Sequence, residues 1–286
     1  MAKRKSLAAD PELDSDNEDA SERSLVDVDF EFFDPHPDVD YLALKRLANQ
    51  LFQGDAELLH VNDLADLILS QPLVGTTVKC DGRESDPYAV LTVLNMQVHQ
   101  NNPSIKALAE YALTKSSTTP AFQDTLQTLL NPAAGSPNHV GLVFSERLIN
   151  MPVQVMPHMY RMLADEIQWA LDDNEPYNFS HFLVISRIYR LSPEEEAELQ
   201  GPAPRSKRPK QSAPQKPSSG GVYSFHPEDE QIQKIALHSL DYNFTNSQPR
   251  EENAFGLDMG GRMILFPATR LRELVSVLQD AYPPPS

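Results

Sequence analysis

The sequence predicts an α/β (α+β) fold in which a mixed, mostly antiparallel sheet is flanked by helices on both faces. Apolar runs at residues 74–80 and 88–97 flank a polar turn at 81–86, which is the pattern of an antiparallel hairpin. Residues 182–185 form an unbroken apolar run, typical of a central strand covered on both faces. Helix-period segments occur between the strands without strict β-α-β alternation, and this favours a mixed sheet.

Apolar side chains at helical spacing predict the helices. Leu44, Leu47 and Leu51 share one face of the first helix, and Asn62 is the predicted N-cap of the second. Further helices are predicted at residues 104–115, 121–130, 156–171 and 227–237, and a last one runs through Leu271 and Leu278. In the helix at 156–171, Trp169 and the methionines are assigned to the core rather than to a client groove.

Alternating and continuous apolar runs predict the strands. Residues 25–33 alternate apolar side chains with Asp27, Asp29 and Glu31, so one face of this strand is a row of carboxylates. The other predicted strands lie at residues 140–144, 181–191, 240–244 and 263–266. Residues 145–147 are predicted to lead out of the strand at 140–144.

The charge of the chain indicates the class of its partners. The 286 residues carry a formal net charge of -17, which argues against direct binding of nucleic acid or of a membrane surface and favours a basic partner. The single cysteine, Cys80, fits a reducing compartment. We expect a cytosolic or nuclear protein, because no apolar run is long enough for a membrane helix and no signal-peptide core follows the first basic residues.

Residues 1–24 are predicted to be a disordered acidic tail. Two roles are open for this tail: it solubilises the chain, or it attracts a basic client over long range. The candidate client-attracting residues of the tail and the first strand are Asp10, Glu12, Asp14, Asp16, Glu18, Asp19, Glu22, Asp27, Asp29 and Glu31.

Residues 25–286 are predicted to form a single domain interrupted by a basic, proline-rich disordered insertion at about 199–222, although a linker between two domains would show the same composition. Short basic clusters in extended segments are typical nuclear import signals, which would recruit nuclear transport receptors. The candidate import residues are Lys3, Arg4, Lys5, Arg205, Lys207, Arg208 and Lys210.

The motifs of common enzyme classes do not occur in the sequence. No glycines are spaced as G-x-G, and no phosphate-binding P-loop is present. Ser145 lacks the flanking glycines of a nucleophile elbow. Glu146 and Arg147 could orient a ligand carboxylate, but a structural ion pair is preferred. In the segment 226–230, Pro227 is predicted at the first position of a helix, with acids in its first turn.

Several motifs resemble the BCCIP family, specifically its fungal branch. The most specific is the block VGLVFSERLINMP at residues 140–152, followed by MPHMY at 156–160. Further matching motifs are VDVDFEFFD at 26–34, VGTTVK at 74–79, VLTVLN at 90–95, FLVIS at 182–186 and FHPEDE at 225–230. They occur in the expected order over most of residues 25–280.

The resemblance implies a nuclear, non-enzymatic escort protein that shuttles to the cytoplasm and has no cofactor. It further implies a chaperone role for a large-subunit ribosomal protein of universal family number fourteen, a part in ribosome biogenesis, and support for nuclear export of a phosphoinositide kinase. A scaffold without any carrier role is a third, weaker alternative.

The resemblance also implies a fold similar to the Gcn-type N-acetyltransferases without their cofactor site. Those enzymes bind the cofactor pyrophosphate at a glycine-rich turn after their fourth strand. The corresponding connection is predicted at residues 97–104, which contain no glycine. A divergent acyl-CoA-dependent N-acetyltransferase is therefore the alternative function.

Overall fold

The computed structural model describes residues 29–71, 73–131, 139–192, 195–196, 221–247 and 257–284. The predicted acidic tail, Asp27 and all seven import candidates lie outside these ranges. Of the predicted insertion at about 199–222, only the last two residues are described. Val222, the last of these, is the first residue of a strand.

Seven α-helices have both ends in the described residues, and proline begins three of them because the first amide of a helix needs no partner. They are α1 (Pro37–Phe52), α2 (Val61–Ser70), α3 (Pro103–Lys115), α4 (Pro120–Leu130), α5 (Met156–Asp172), α6 (Asp229–Lys234) and α7 (Leu271–Ala281). Asn102 caps α3 by accepting hydrogen bonds from the amides of Ser104 and Ile105. The N-cap of α2 is His60 rather than the predicted Asn62, because the helix begins two residues earlier than predicted.

The strands form one mixed sheet, which confirms the mostly antiparallel fold that the sequence predicts. They are β1 (Glu31–Phe33), β2 (Thr76–Lys79), β3 (Ala89–Asn95), β4 (His139–Arg147), β5 (Phe179–Arg190), β6 (Val222–Ser224), β7 (His238–Tyr242) and β8 (Asp258–Pro267). The order is β1-β2-β3-β4-β5-β8-β7, and β6 pairs with β5. Only β4 and β5 are parallel among the described pairs, and β2 and β3 form the predicted hairpin.

Helices cover both faces of the sheet. On one face α1 to α4 pack against alternate strand residues such as Leu142 and Phe144 of β4. On the other face α5, α6 and α7 pack against the intervening residues, such as Val143. This alternation follows from the period of two in a strand, and it places adjacent β4 side chains in different cores.

The structure corrects two predictions about side-chain burial. Trp169 is 64% exposed, because the buried stripe of α5 runs through Met159, Leu163 and Ile167, and Trp169 is rotated away from it. β4 extends to Arg147 instead of ending at Phe144, so residues 145–147 lie inside the sheet.

Gly261 of β8 provides a test of close packing at the edge of the sheet. A Cβ at this position would lie 2.3 Å from Cζ of Tyr242 on β7, whereas one at Gly54 would meet nothing closer than 3.5 Å. We expect Gly261→Ala to lower the free energy of unfolding by about 1–3 kcal/mol, since the buried ring must shift. Urea denaturation checks this value against Gly54→Ala, and equal midpoints for the two variants would contradict it.

Candidate functional site

The parallel strands β4 and β5 run side by side and then separate. Their pairing ends at Val143 and Val184. Beyond that point β4 continues beside β3 to Arg147, and β5 continues beside β8 to Arg190. Because β8 occupies the other edge of β5, β6 pairs with the end of β5 on the side that β4 has left. The separation creates a gap in the sheet, and the residues that follow β6 close it.

The gap is filled by charged side chains. We name this group the interstrand cluster; it consists of Glu146, Arg147, Arg187, His226, Glu228 and Asp229. None of the six residues is more than 5% exposed. Charges are buried in proteins only when they are paired and hydrogen-bonded, so each group in the cluster needs a partner.

Glu146 is the centre of the half of the cluster that faces α1. Its carboxylate accepts hydrogen bonds from Nη2 and Nε of Arg187, at 2.9 and 3.1 Å, and from Nε2 of Gln50 on α1 at 2.9 Å. Nε2 of His226 lies 3.0 Å from Oε1 of Glu146, close enough for an ion pair but without hydrogen-bond geometry. The Arg187 guanidinium also stacks on Phe225, 3.7 Å from the ring centre.

Arg147 and Glu228 form the half of the cluster on the opposite face. The guanidinium donates two parallel hydrogen bonds to the carboxylate, and the one between Nη2 and Oε2 measures 2.9 Å. Such bidentate pairs are the strongest ion pairs in proteins. Beside them, Ser186 of β5 donates a hydrogen bond of 2.5 Å to Asp229. The cluster therefore connects β4, β5 and the start of α6.

Burial and neighbouring charges shift the pKa values of these carboxyl groups in different directions. Burial alone would raise the pKa of Glu146, but His226 and Arg187 outweigh it and lower the pKa to about 2. For Glu228, burial is likewise outweighed, chiefly by Arg147, and the pKa is lowered. Burial raises the pKa of Asp229 to about 6, and the neighbouring Glu228 charge adds to this increase. Asp229 is therefore the carboxyl group of the cluster that resists ionisation.

The candidate residues from the sequence occupy different places. Asp29 and Glu31 are exposed beside and on β1, as the alternating pattern predicts. The structural interpretation of Glu146 and Arg147 is confirmed, although each pairs with a distant residue and not with the other. The remaining acidic and basic candidates lie outside the described residues.

The segment 226–230 differs from its prediction. Pro227 precedes the N-cap residue Glu228 of α6 and is not the first helical residue. Glu228 points into the interstrand cluster instead of simply stabilising a helix end, because Arg147 and the gap between the strands lie next to it. Arg187 of β5 and Arg262 of β8, which donates two hydrogen bonds to Asp241 of β7, were missed by sequence reasoning. An arginine next to an apolar run within a strand is itself a signal of a buried ion pair.

The connection predicted at residues 97–104 follows the third strand and leads to α3, so its assignment is wrong. The fourth strand, β4, leads instead through residues 148–155 to α5, and this β4-α5-β5 unit contains the parallel pair. Residues 148–155 also contain no glycine. Pro157, near the N-terminus of α5, lacks an amide proton that could bind a phosphate.

The part of the chain that the structure describes has neither a metal-ligand cluster nor a membrane-spanning helix. Within those residues, no group of three or more His, Cys, Asp or Glu side chains is arranged to hold a metal ion. None of the described helices has the length and apolarity that a membrane span requires.

Comparison with known proteins identifies the family of the chain. The BCCIP family model matches residues 25–232, which include every strand up to β6 and all six residues of the interstrand cluster. The chain belongs to the BCCIP family. This confirms the resemblance carried by the motifs at 140–152 and 225–230.

Similar proteins are found in several fungi. Protein bcp1 of Schizosaccharomyces pombe is 42% identical over 99% of both chains. Protein bcp1 of Aspergillus fumigatus is 41% identical over 94% of this chain and 92% of its own length. A crystal structure of BCP1 from Saccharomyces cerevisiae matches with a TM-score of 0.62 and 25% identity, covering 93% of each chain.

The raised pKa of Asp229 predicts a pH dependence of stability for this BCCIP-family chain. Between about pH 4 and pH 6, an unfolded chain has released the proton that the folded chain keeps, so stability falls as the pH rises through this range. Asp229→Asn removes this loss. Between about pH 4 and pH 6, we therefore expect the free energy of unfolding of the wild type to fall by roughly 3 kcal/mol more than that of the variant. Glu146 acts in a different range, because its stabilisation is lost only as the pH falls from about 4.5 to 2.

Urea denaturation at intervals from pH 4 to pH 7 measures the effect, with the exposed Asp173→Asn as the matched control. Parallel pH profiles for the wild type and Asp229→Asn would show that Asp229 ionises normally in the folded chain.

Proposed function

We propose that this BCCIP-family chain is a non-enzymatic escort protein that binds basic clients. The observation that carries the proposal is that the chain's own buried side chains fill the gap between β4 and β5. An open gap between parallel strands is the usual place for a ligand in an α/β sheet. Here the buried side chains of the interstrand cluster occupy that place, which supports binding at the surface over chemistry inside the sheet.

The charge of the protein supports a basic client. The formal net charge is -17, and Asp29 and Glu31 are exposed at the edge of the sheet. An acidic carrier neutralises the cationic surface of an unassembled RNA-binding protein, which would otherwise bind nucleic acid indiscriminately. In agreement with the family resemblance, the proposed client is a large-subunit ribosomal protein of universal family number fourteen, and the role is a chaperone in ribosome biogenesis.

The proposal includes nuclear residence, shuttling to the cytoplasm and support for nuclear export of a phosphoinositide kinase. The basic clusters at residues 3–5 and 205–210 are the proposed contacts for import receptors. A fluorescent fusion in which both clusters are changed to alanine tests this part. We expect the fusion to become cytoplasmic, and a fusion that stays nuclear would exclude these clusters as the import signals.

The alternative is a divergent acyl-CoA-dependent N-acetyltransferase, and the parallel β4-α5-β5 unit is the observation that favours it. The acetyltransferase-like fold is part of our proposal, but the glycine-free connection at 148–155 and the filled gap argue against a working cofactor site. Calorimetric titration with acetyl-CoA separates the two functions. We expect no heat of binding, and micromolar affinity would favour the enzyme.

The client itself is tested by surface capture of the purified ribosomal protein with the full chain and with a chain lacking residues 1–24. We expect binding by both, with slower association of the truncated chain at low salt because long-range attraction acts on the association rate. Faster dissociation after truncation would make the tail the main docking site, and unchanged rates would make it a solubiliser. Absence of binding by the full chain would overturn the proposed function.

A further inference from the structure

A cavity of about 590 Å³ opens on the α1 face of the sheet, between α1, the turn that joins β2 to β3, and the residue that follows β4. Its lining residues are Ala43, Arg46, Leu47, Gln50, Asp81, Ser85, Asp86, Pro87, Tyr88 and Leu148. A volume of this size accommodates several side chains of a partner and is typical of ligand sites. The interstrand cluster does not line the cavity.

The cavity has a firm inner wall. Nε2 of Gln50 donates hydrogen bonds to Oε1 of Glu146 at 2.9 Å and to the backbone oxygen of Arg147 at 2.8 Å. The position of Gln50 is therefore held by the interstrand cluster, and the cavity is preformed. Preformed sites bind with a smaller loss of conformational entropy than sites that must first be ordered.

The walls and the mouth of the cavity differ in chemistry. Leu47, Tyr88 and Leu148 give apolar walls, whereas Asp81 and Asp86 are exposed at the mouth. The chain's own Arg46 donates a hydrogen bond to Asp86 across this mouth. Asp86 is thus already placed to accept a guanidinium group.

The pair of Arg46 and Asp86 is easily exchanged. Their side chains are 67% and 58% exposed, and ion pairs of such exposure contribute little to stability. A guanidinium from another protein could replace Arg46 at Asp86 and gain Asp81 and the apolar walls in addition. The aliphatic part of an arginine side chain packs well against apolar and aromatic surfaces, and its charged end remains at the carboxylates.

We propose that this cavity binds an arginine side chain in a basic segment of a client protein, with Asp81 and Asp86 as the partners of the guanidinium. The inference rests on the proposed function and adds a location to it. Leu42 and Ile149 adjoin lining residues in the chain: Leu42 is one turn before Arg46 on α1, and Ile149 follows Leu148. They are 68% and 81% exposed, so they form contacts for apolar residues next to the bound arginine.

A second acidic surface offers a matched control. Asp165, Trp169 and Asp172 lie on α5, which packs on the opposite face of the sheet, and none of the three lines the cavity beside Arg46. This surface would attract a cationic peptide by charge alone. Equal removal of charge from the two surfaces therefore separates a specific cavity from general electrostatic attraction.

The probe is a short fluorescein-labelled peptide in which arginine and leucine alternate, and the same peptide with neutral citrulline is its control. Fluorescence anisotropy with the full chain measures the affinity. Since a hydrogen bond to a charged group changes binding by about tenfold, we expect Asp81→Asn with Asp86→Asn to weaken binding at least tenfold. Asp165→Asn with Asp172→Asn should change it about twofold or less, as expected for screened, distant charges.

A gain of affinity provides an independent test. Arg46→Ala removes the internal competitor for Asp86, so we expect this variant to bind the arginine peptide several-fold more tightly than the wild type. Arg161→Ala removes the same charge from α5 and should leave the affinity nearly unchanged. Melting temperatures equal to that of the wild type would show that these exposed substitutions leave the fold intact.

Equal weakening by the two double asparagine variants, or no binding of the peptide by the wild type, would overturn the cavity as the arginine site. The proposed function is judged separately by capture of the ribosomal protein. If the wild-type chain captures the ribosomal protein and the double variant Asp81→Asn with Asp86→Asn captures it with the same affinity, the escort function stands and this site fails. If neither the wild type nor the double variant captures the ribosomal protein, the escort function fails.

Discussion

Replacing Arg147 with methionine is expected to lower the free energy of unfolding by about 3–5 kcal/mol, because removing one member of a buried ion pair leaves the other charge uncompensated. Arg147 and Glu228 are 5% and 1% exposed and share two hydrogen bonds. Methionine fills much of the same volume, so the loss comes from the electrostatics and not from a large cavity.

Two further variants make the Arg147 experiment specific. Arg147→Met combined with Glu228→Gln removes both charges, and we expect it to regain a large part of the lost stability. Arg190→Met breaks a partly exposed pair with Asp258, at 3.6 Å, and should cost less than about 1 kcal/mol. Urea denaturation measures all three. A loss for Arg147→Met as small as that for Arg190→Met would refute a strongly coupled buried pair.

Replacing Asp55 with alanine is expected to cause a loss of similar size, about 3–5 kcal/mol, because one buried carboxylate satisfies several donors at once. Asp55 accepts hydrogen bonds from the amide of Thr245 at 2.7 and 2.9 Å and from the hydroxyl of Tyr111 at 2.9 Å. Nζ of Lys115 lies 3.1 Å away. The carboxylate thus joins the segment after β7 to α3 and to the turn after α1.

Equilibrium denaturation measures the effect of Asp55→Ala, and amide exchange at Thr245 localises it. We expect Thr245 to exchange faster in the variant, whereas Glu273→Ala, which breaks an exposed pair with Arg270, should leave both readouts nearly unchanged. Unchanged protection at Thr245 would mean that the carboxylate does not hold this segment.

Acid provides a second test of Asp55 without mutation. Burial alone would raise its pKa, but the Thr245 amide, Lys115 and Tyr111 outweigh burial and lower it. A lowered folded pKa means that the stabilisation is complete above the usual range of an aspartate and is lost as the pH falls through the folded pKa. Protection of the Thr245 amide should therefore decrease in acid before the central strands lose theirs.

Local pattern was sufficient to predict most of the secondary structure. The hairpin of β2 and β3, the central position of β5 and the helices α1 to α5 all follow from spacing over a few residues. These features depend on side chains that are neighbours in sequence, so a period of two or of 3.6 residues identifies the buried face. The acidic surface of β1 follows from the same alternation.

The interstrand cluster depends on contacts that no local pattern describes. Glu146 meets Arg187, and Arg147 meets Glu228, across separations of 41 and 81 residues. Their pairing requires β4 to leave β5, and it requires β6 to lie at the vacated edge. An apolar run predicts a strand but not its neighbours, and a charge within that run predicts a buried partner but not its identity.

Composition and local periodicity therefore determine the acidity of this chain and the positions of most of its helices and strands, whereas the short strand β6 was not predicted. The filled gap and the cavity beside Arg46 arise only when distant segments pack together. The physical reason is that hydrophobic burial along one element is encoded every two to four residues, whereas charge pairing and cavity shape depend on which elements meet.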